Sequence, residues 1–246
     1  MAATVTSLGS TWTTTAGNKT RTGVSVTGDL IVVIAASSGL AGGTTAVSDD
    51  DGGSYTQVDS DRTGFSTTGV LTVWVRTALV ASGKSTVYTA TQGSSSGGGL
   101  SVLRVTGMTL TGASAVRSSG GQSTVAAGTP APVLSSTPLT GNSIITAVCT
   151  GSNSTTNVVQ RSGYTEDADR GYSVPATGIE VSHLNSGETS ATLTYGGATA
   201  TQFASIAIEL DTAGPSVSPS VSPSISPSVS PSVSPSVSPS VSLSPS

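Results

Sequence analysis

Acid–base and nucleophilic catalysis near neutral pH need a side chain that moves a proton there, and this chain has one histidine, His183. It falls in Ile179-Glu180-Val181-Ser182-His183-Leu184, an alternating stretch that reads as a strand with the imidazole at its surface or edge. Serines are so abundant that a Ser–His–Asp grouping around it carries no information. Carboxylates gather twice, as Asp49-Asp50-Asp51 with Asp59 and Asp61, and as Glu166-Asp167 with Asp169. Carboxylates on glycine-flanked loops can hold Ca²⁺, but Ser48-Asp49-Asp50-Asp51-Gly52-Gly53 lacks the spacing and distal Glu of a helix–loop–helix calcium site. Both groups read as solvated turns. Two facing carboxylates, as a glycosidase needs, cannot be placed from such local clusters. The expectation is therefore no catalytic residue, no metal ligand, no cofactor and no enzymatic activity.

The remaining candidates concern binding. Trp12, Tyr55, Trp74, Tyr164 and Tyr172 are the aromatics that could stack on a sugar. Trp74 reads as a core anchor. Tyr164 and Tyr172 flank the second acidic stretch and are the candidate ligand contacts. Cys149, the single cysteine, lies in the apolar run Ile144–Cys149 and reads as a small core residue, so no internal disulfide can form.

The elements that must position these groups are strands. Runs rich in Val, Ile and Thr recur between glycine-containing turns at 22–27, 29–36, 70–77, 85–91, 100–105, 143–150, 178–183, 191–195 and 202–210. Leu30-Ile31-Val32-Val33-Ile34 is apolar at every position and predicts a strand buried on both faces. No helical period persists. Many short strands with regular turns predict an all-β sandwich or jelly roll.

An internal echo adds detail. Thr27-Gly28-Asp29-Leu30-Ile31 matches Thr140-Gly141-Asn142-Ser143-Ile144, and Ser82-Gly83 matches Ser186-Gly187. The predicted architecture is one duplicated sandwich over residues 21–213, with halves near 21–107 and 138–211; two stacked sandwiches are the runner-up. The linking stretch 107–138 is poor in apolar residues. Residues 1–20 form an extended N-terminal segment, and Thr4, Val5 and Thr6 are candidates for a strand donated to a neighbouring copy.

At Gly214 the composition changes abruptly. Pro215-Ser216-Val217-Ser218 then repeats with period four, and this tail (214–246) holds eight of the twelve prolines. Proline at every fourth residue forbids a helix or a central strand, leaving an extended, polyproline-like chain. At 3.1 Å per residue such a tail reaches roughly 100 Å. Ser216, Ser218, Ser220, Ser222, Ser224 and Ser226 are the candidate O-glycosylation sites.

Gly28-Asp29-Leu30-Ile31-Val32-Val33, Ser54-Tyr55-Thr56-Gln57-Val58, Val73-Trp74-Val75 and Ser82-Gly83, with a closing apolar strand, together resemble β-sandwich modules of bacteriophage structural proteins and bacterial surface proteins. The tail resembles short Ser/Pro repeats of glycosylated extracellular proteins. These resemblances imply a fold and a setting, and carry no catalytic residue.

Composition agrees with that setting. Charged residues are 9% of the chain, against about 25% in an average soluble protein. The net charge is -4 and Lys19 and Arg21 are the closest basic pair, so nucleic acid is not expected as a partner. The apolar run from Leu30 to Ala36 is too short to span a bilayer, so no membrane insertion is expected. Met1-Ala-Ala-Thr-Val-Thr has no signal-peptide pattern, which fits a mature exported chain or one released by lysis. The expected function is a self-assembling structural subunit of an extracellular fibre, appendage or virion surface, its partners being other copies of the chain. The alternative is a carbohydrate-binding adhesin module that uses the tail as a spacer, with glycans as ligands.

Overall fold

A computed structural model describes residues 3–38, 43–65, 69–93, 97–124, 126–151, 158–173, 176–197 and 202–211. The repeat tail and its candidate serines lie outside the described residues. The rest is nearly all β: β1 (Thr4–Thr13), β2 (Lys19–Val24), β3 (Leu30–Ser38), β4 (Ala46–Asp49), β5 (Tyr55–Gln57), β6 (Arg62–Thr63), β7 (Val70–Arg76), β8 (Ser85–Thr91), β9 (Gly97–Thr106), β10 (Val116–Thr124), β11 (Ser143–Thr150), β12 (Thr165–Ser173), β13 (Ala176–Leu184) and β14 (Phe203–Leu210), with one 3₁₀ turn at Gly112–Ala115. Among the described residues all strand pairing is antiparallel.

One sheet runs β1-β9-β3-β7-β5, with β6 also on β7; a second runs β10-β14-β11-β13-β12; a third, smaller one runs β2-β8-β4. In chain order the two large sheets are built alike. Each places its first strand against its last, then the strand that follows a Thr-Gly-Asx turn at the centre. The turns agree in detail. The Asp29 amide donates to Val26 O at 3.0 Å and the Asn142 amide to Leu139 O at 2.9 Å. The Gly83 amide donates to Thr27 Oγ1 and the Gly187 amide to Thr140 O, so each Ser-Gly turn is tied to the same point of its half.

The apolar clusters explain the layering. Leu30, Val32, Ile34 and Ala36 of β3 join Ile145, Ala147, Cys149, Ile179, Val181, Ile206 and Ile208 of the second large sheet in one cluster between the two sheets. Ile31, Val33 and Ala35 point the other way, onto Val47, Tyr88 and Ala90 of the small sheet. Every residue of β3 is buried, because this strand has a core on each face.

The outer face of the second large sheet is covered by extended segments rather than a third strand layer. Leu134 and Leu193 cap Ile144 and Ala207, and Val158 and Tyr195 cap Val148 and Phe203. Amides of Leu193 and Tyr195 donate to the carbonyls of Pro132 and Pro130, the Leu134 amide donates to Ala191 O, and Val159 and Gly196 exchange bonds. The order of these segments copies β2-β8-β4. Pro130 and Pro132 have no N–H to return, so the ladder is left half made and residues 191–195 do not form the predicted strand.

β10 lies inside the stretch expected to be a linker. Its Arg-Ser-Ser-Gly-Gly-Gln-Ser-Thr sequence offers almost nothing apolar, yet it pairs with β14 from Val116 to Thr124. A Cβ at Gly120 would collide with Val133 O and one at Gly121 with Ser205 O, so the glycines admit close backbone packing. The N-terminal segment likewise holds β1, paired with β9 of its own chain from Thr4 to Thr13.

Candidate functional site

The chemistry-bearing side chains gather on the edge hairpin β12–β13. β12 pairs with β13 as Thr165↔His183, Glu166↔Ser182, Ala168↔Val181 and Asp169↔Glu180, with a bulge at Asp167. The extra residue resets the alternation: Ala168 faces the inter-sheet cluster, while Glu166 and Asp169 both fall on the opposite face with Glu180 and Ser182. The acidic stretch thus belongs to a strand and not to the solvated turn that its composition suggests.

Carboxylate oxygens of Glu166, Asp169 and Glu180 lie within 4.8 Å of one another. Glu166 is exposed, Asp169 half-buried and Glu180 only 1% exposed. Asp169 Oδ1 and Glu180 Oε1 are buried and make no hydrogen bond. The Glu180 carboxyl is pushed up to about 9, first by burial and then by the neighbouring charges of Glu166, Asp169 and Asp167. Burial also raises Asp169, with Arg170 pulling the other way.

His183 sits on the other face of the same strand. It is 5% exposed, and its Nδ1 is 2.8 Å from Asp167 Oδ2. It is therefore neither at the surface nor at a sheet edge, since β13 has β11 on one side and β12 on the other. The bulge turns Asp167 inward to meet it, a pairing that local sequence does not foreshadow.

The other acidic stretch is a fastener. Asp49 accepts from the Gly53 amide at 2.6 Å, from the Tyr55 hydroxyl at 2.8 Å and from Arg76 Nε at 3.0 Å. Burial pushes its carboxyl up, but the Gly53 amide, Tyr55 and Arg76 together outweigh it and the net shift is downward. Lys84 closes the loop on Asp51. Glu188 is held the same way by Arg161, the Ser190 amide and the Tyr164 hydroxyl at 2.9 Å. Glu209 receives Arg117, the Leu139 amide and Asn142.

This corrects the reading of Tyr164. Tyr164 is 7% exposed and packs in a cluster with Leu134, Ile144 and Leu193. For Tyr172 only the backbone is described, paired with Thr177. Trp74 is buried against Ile31 and Val33, and its indole N–H donates to Thr72 Oγ1 at 3.0 Å. Cys149 is fully buried, and burial pushes its thiol well up, away from reactivity. Thr4, Val5 and Thr6 are engaged in cis: Val5 is 3% exposed in the inter-sheet cluster, and its amide donates to Asn185 Oδ1 at 2.7 Å.

A cleft between the large sheets is lined by Trp12, Ser37, Phe65, Gly98, Thr177 and Ile179. It is mainly apolar and brings no titratable group together.

Comparison of the chain with protein-family models, with curated proteins and with solved structures finds no match.

Proposed function

We propose that this chain is a structural subunit of an extracellular or virion surface, built as an internally duplicated β-sandwich protein that assembles with copies of itself. The observation that supports this reading is how the buried charge is used. Asp49, Glu188 and Glu209 each sit at the centre of an arginine and backbone-amide cage, which ties a loop to a strand at Asp49 and Glu209 and one loop to another at Glu188. Such cages fix a shape; they leave no proton acceptor facing a substrate. In a chain with 9% charged residues, concentrating charge in fasteners leaves a surface dressed mainly in Ser, Thr and Gly.

The matching strand orders of the two large sheets and the paired Thr-Gly-Asx and Ser-Gly turns support duplication. One half then comprises a six-stranded sheet and the other a five-stranded one, each under a thinner covering layer, and the halves join through the faces that share the largest apolar cluster. The repeat tail, with O-glycans on Ser216 to Ser226, serves as a hydrophilic rod carried by this body.

Electron microscopy and sedimentation of the purified full-length chain test assembly. Regular filaments, rings or discrete oligomers are the expected result. Uniform monomers at all concentrations tried would remove the self-assembly reading.

A further inference from the structure

We propose that Glu166, Asp169 and Glu180 form a binding site for a divalent, oxygen-seeking cation of the Ca²⁺ class on the β12–β13 hairpin. Three acidic side chains near one another do not make a site, because solvated carboxylates cluster freely on surfaces. This cluster differs because Glu180 is 1% exposed and its Oε1 has no hydrogen-bond partner, and the Oδ1 of Asp169 beside it is buried and unpartnered as well. An uncompensated buried carboxylate costs several kcal/mol, roughly, which is why buried charges are normally paired or bound to metal. Here the nearest acidic neighbours make the deficit worse, and Arg170, the one cation bearing on Asp169, spends its Nη1 on the Asp169 backbone carbonyl at 2.8 Å.

The other half of the molecule supplies a comparison. Aligning Leu30 with Ser143 at the start of the central strands makes the pair Val33–Trp74 correspond to Thr146–Ser182, and Ala35–Thr72 to Val148–Glu180. In the first half this place is closed: the Trp74 indole fills it and donates to Thr72. In the second half a serine replaces the indole, a glutamate replaces the threonine, and two more carboxylates enter from β12. Tyr195 packs beside this place, next to Thr146, Ser182 and Glu180, and negative charge stands where the first half has an indole and a hydroxyl. An ion would restore the balance.

Geometry and ligand type fit the same class. Two oxygens bound to one Ca²⁺ at about 2.4 Å lie no farther apart than about 4.8 Å, the limit met by all three carboxylates. The ligands are all hard oxygens, and His183 is turned away to Asp167 on the opposite face, which disfavours zinc. Exposed Glu166 keeps the site open to solvent, so that water can complete the six to eight oxygens that Ca²⁺ takes.

The test is calorimetric titration of CaCl₂ into chelator-stripped full-length protein at about pH 7.5. One Ca²⁺ per chain is expected, with an affinity within about 10⁻⁵–10⁻³ M. Glu180→Gln, which keeps the side-chain shape, is expected to weaken binding at least about tenfold. Asp169→Asn is expected to weaken it too, and Asp61→Asn, at an exposed carboxylate elsewhere, to leave it unchanged. Circular dichroism shows that each variant is folded before it is titrated. The proposal is overturned by no binding up to about 10 mM Ca²⁺, or by folded Glu180→Gln and Asp169→Asn chains that bind as tightly as the parent.

Discussion

Glu180 is a carboxyl buried without a hydrogen-bond partner for its Oε1, and pH exposes the consequence. The unfolded chain gives up this proton around the ordinary value of 4.5, while the native chain keeps it until about 9. Between those limits the native state binds more protons than the unfolded state, so stability falls as pH rises. Below the window the carboxyl is neutral in both states and imposes no penalty. Without divalent cation, the parent should therefore melt increasingly below Glu180→Gln from pH 5 to pH 9, the gap growing by roughly 4 °C or more. Parallel melting curves across that range would show that Glu180 is as well solvated as an ordinary carboxylate. The sequence displayed the acidic stretch, but its meaning depends on pairing register, which no local pattern reveals. One bulge at Asp167 sends Asp167 to His183 and sends Glu166 and Asp169 to Glu180. Tyr164 misled for a related reason: an aromatic beside charges looks exposed until Glu188, more than twenty residues away, is seen to receive its hydroxyl.

At the scale of elements, legibility tracked hydrophobicity. β3 could be recognised from its sequence because a strand with a core on each face must be apolar throughout; β11 and β14 were legible as Val- and Ile-rich runs between turns, whereas the partial alternation of Val70–Arg76 suggests one wet face and β7 is buried at every position. β10 was hidden because it contributes backbone rather than side chains. Its glycines let the chain approach Val133 and Ser205 more closely than any Cβ permits. Gly120→Ala should cost about 2–4 kcal/mol in urea unfolding, as overpacking against backbone does. Gly141→Ala, with nothing within 4 Å of the added carbon, should stay within about 0.5 kcal/mol of the parent. Equal effects at the two sites would mean that β10 does not pack as closely as described. The failed strand at 191–195 has a different cause, since its own residues suit a strand well. Its partner supplies Pro130 and Pro132, and a strand exists only where both edges can exchange hydrogen bonds.

For the whole molecule the decisive segment is β1, which is at once an edge strand, part of the inter-sheet core and the candidate for exchange between copies. Ala3 and Val5 are buried in the cluster shared by the two large sheets, and two further bonds reach into the second half. Val5 donates to Asn185, and the Ser143 hydroxyl donates to Ala3 O at 3.2 Å. A strand so placed stabilises both halves from whichever chain it comes, because the groove beside β9 recognises backbone and alternate side chains. Deleting residues 1–13 should therefore lower stability by about 4 kcal/mol or more, through lost apolar burial and the unpaired backbone of β9. A synthetic peptide spanning Ala3–Thr13, added in excess, should raise the melting temperature of the truncated chain back toward that of the parent, increasingly with peptide concentration. That outcome would establish that the groove accepts a strand in trans, the property assembly by exchange requires. A truncated chain that melts like the parent would show instead that β1 contributes little to the core. A destabilised chain that ignores the peptide would confine β1 to its own molecule and move the search for copy-to-copy contacts to the outer strands β10 and β12.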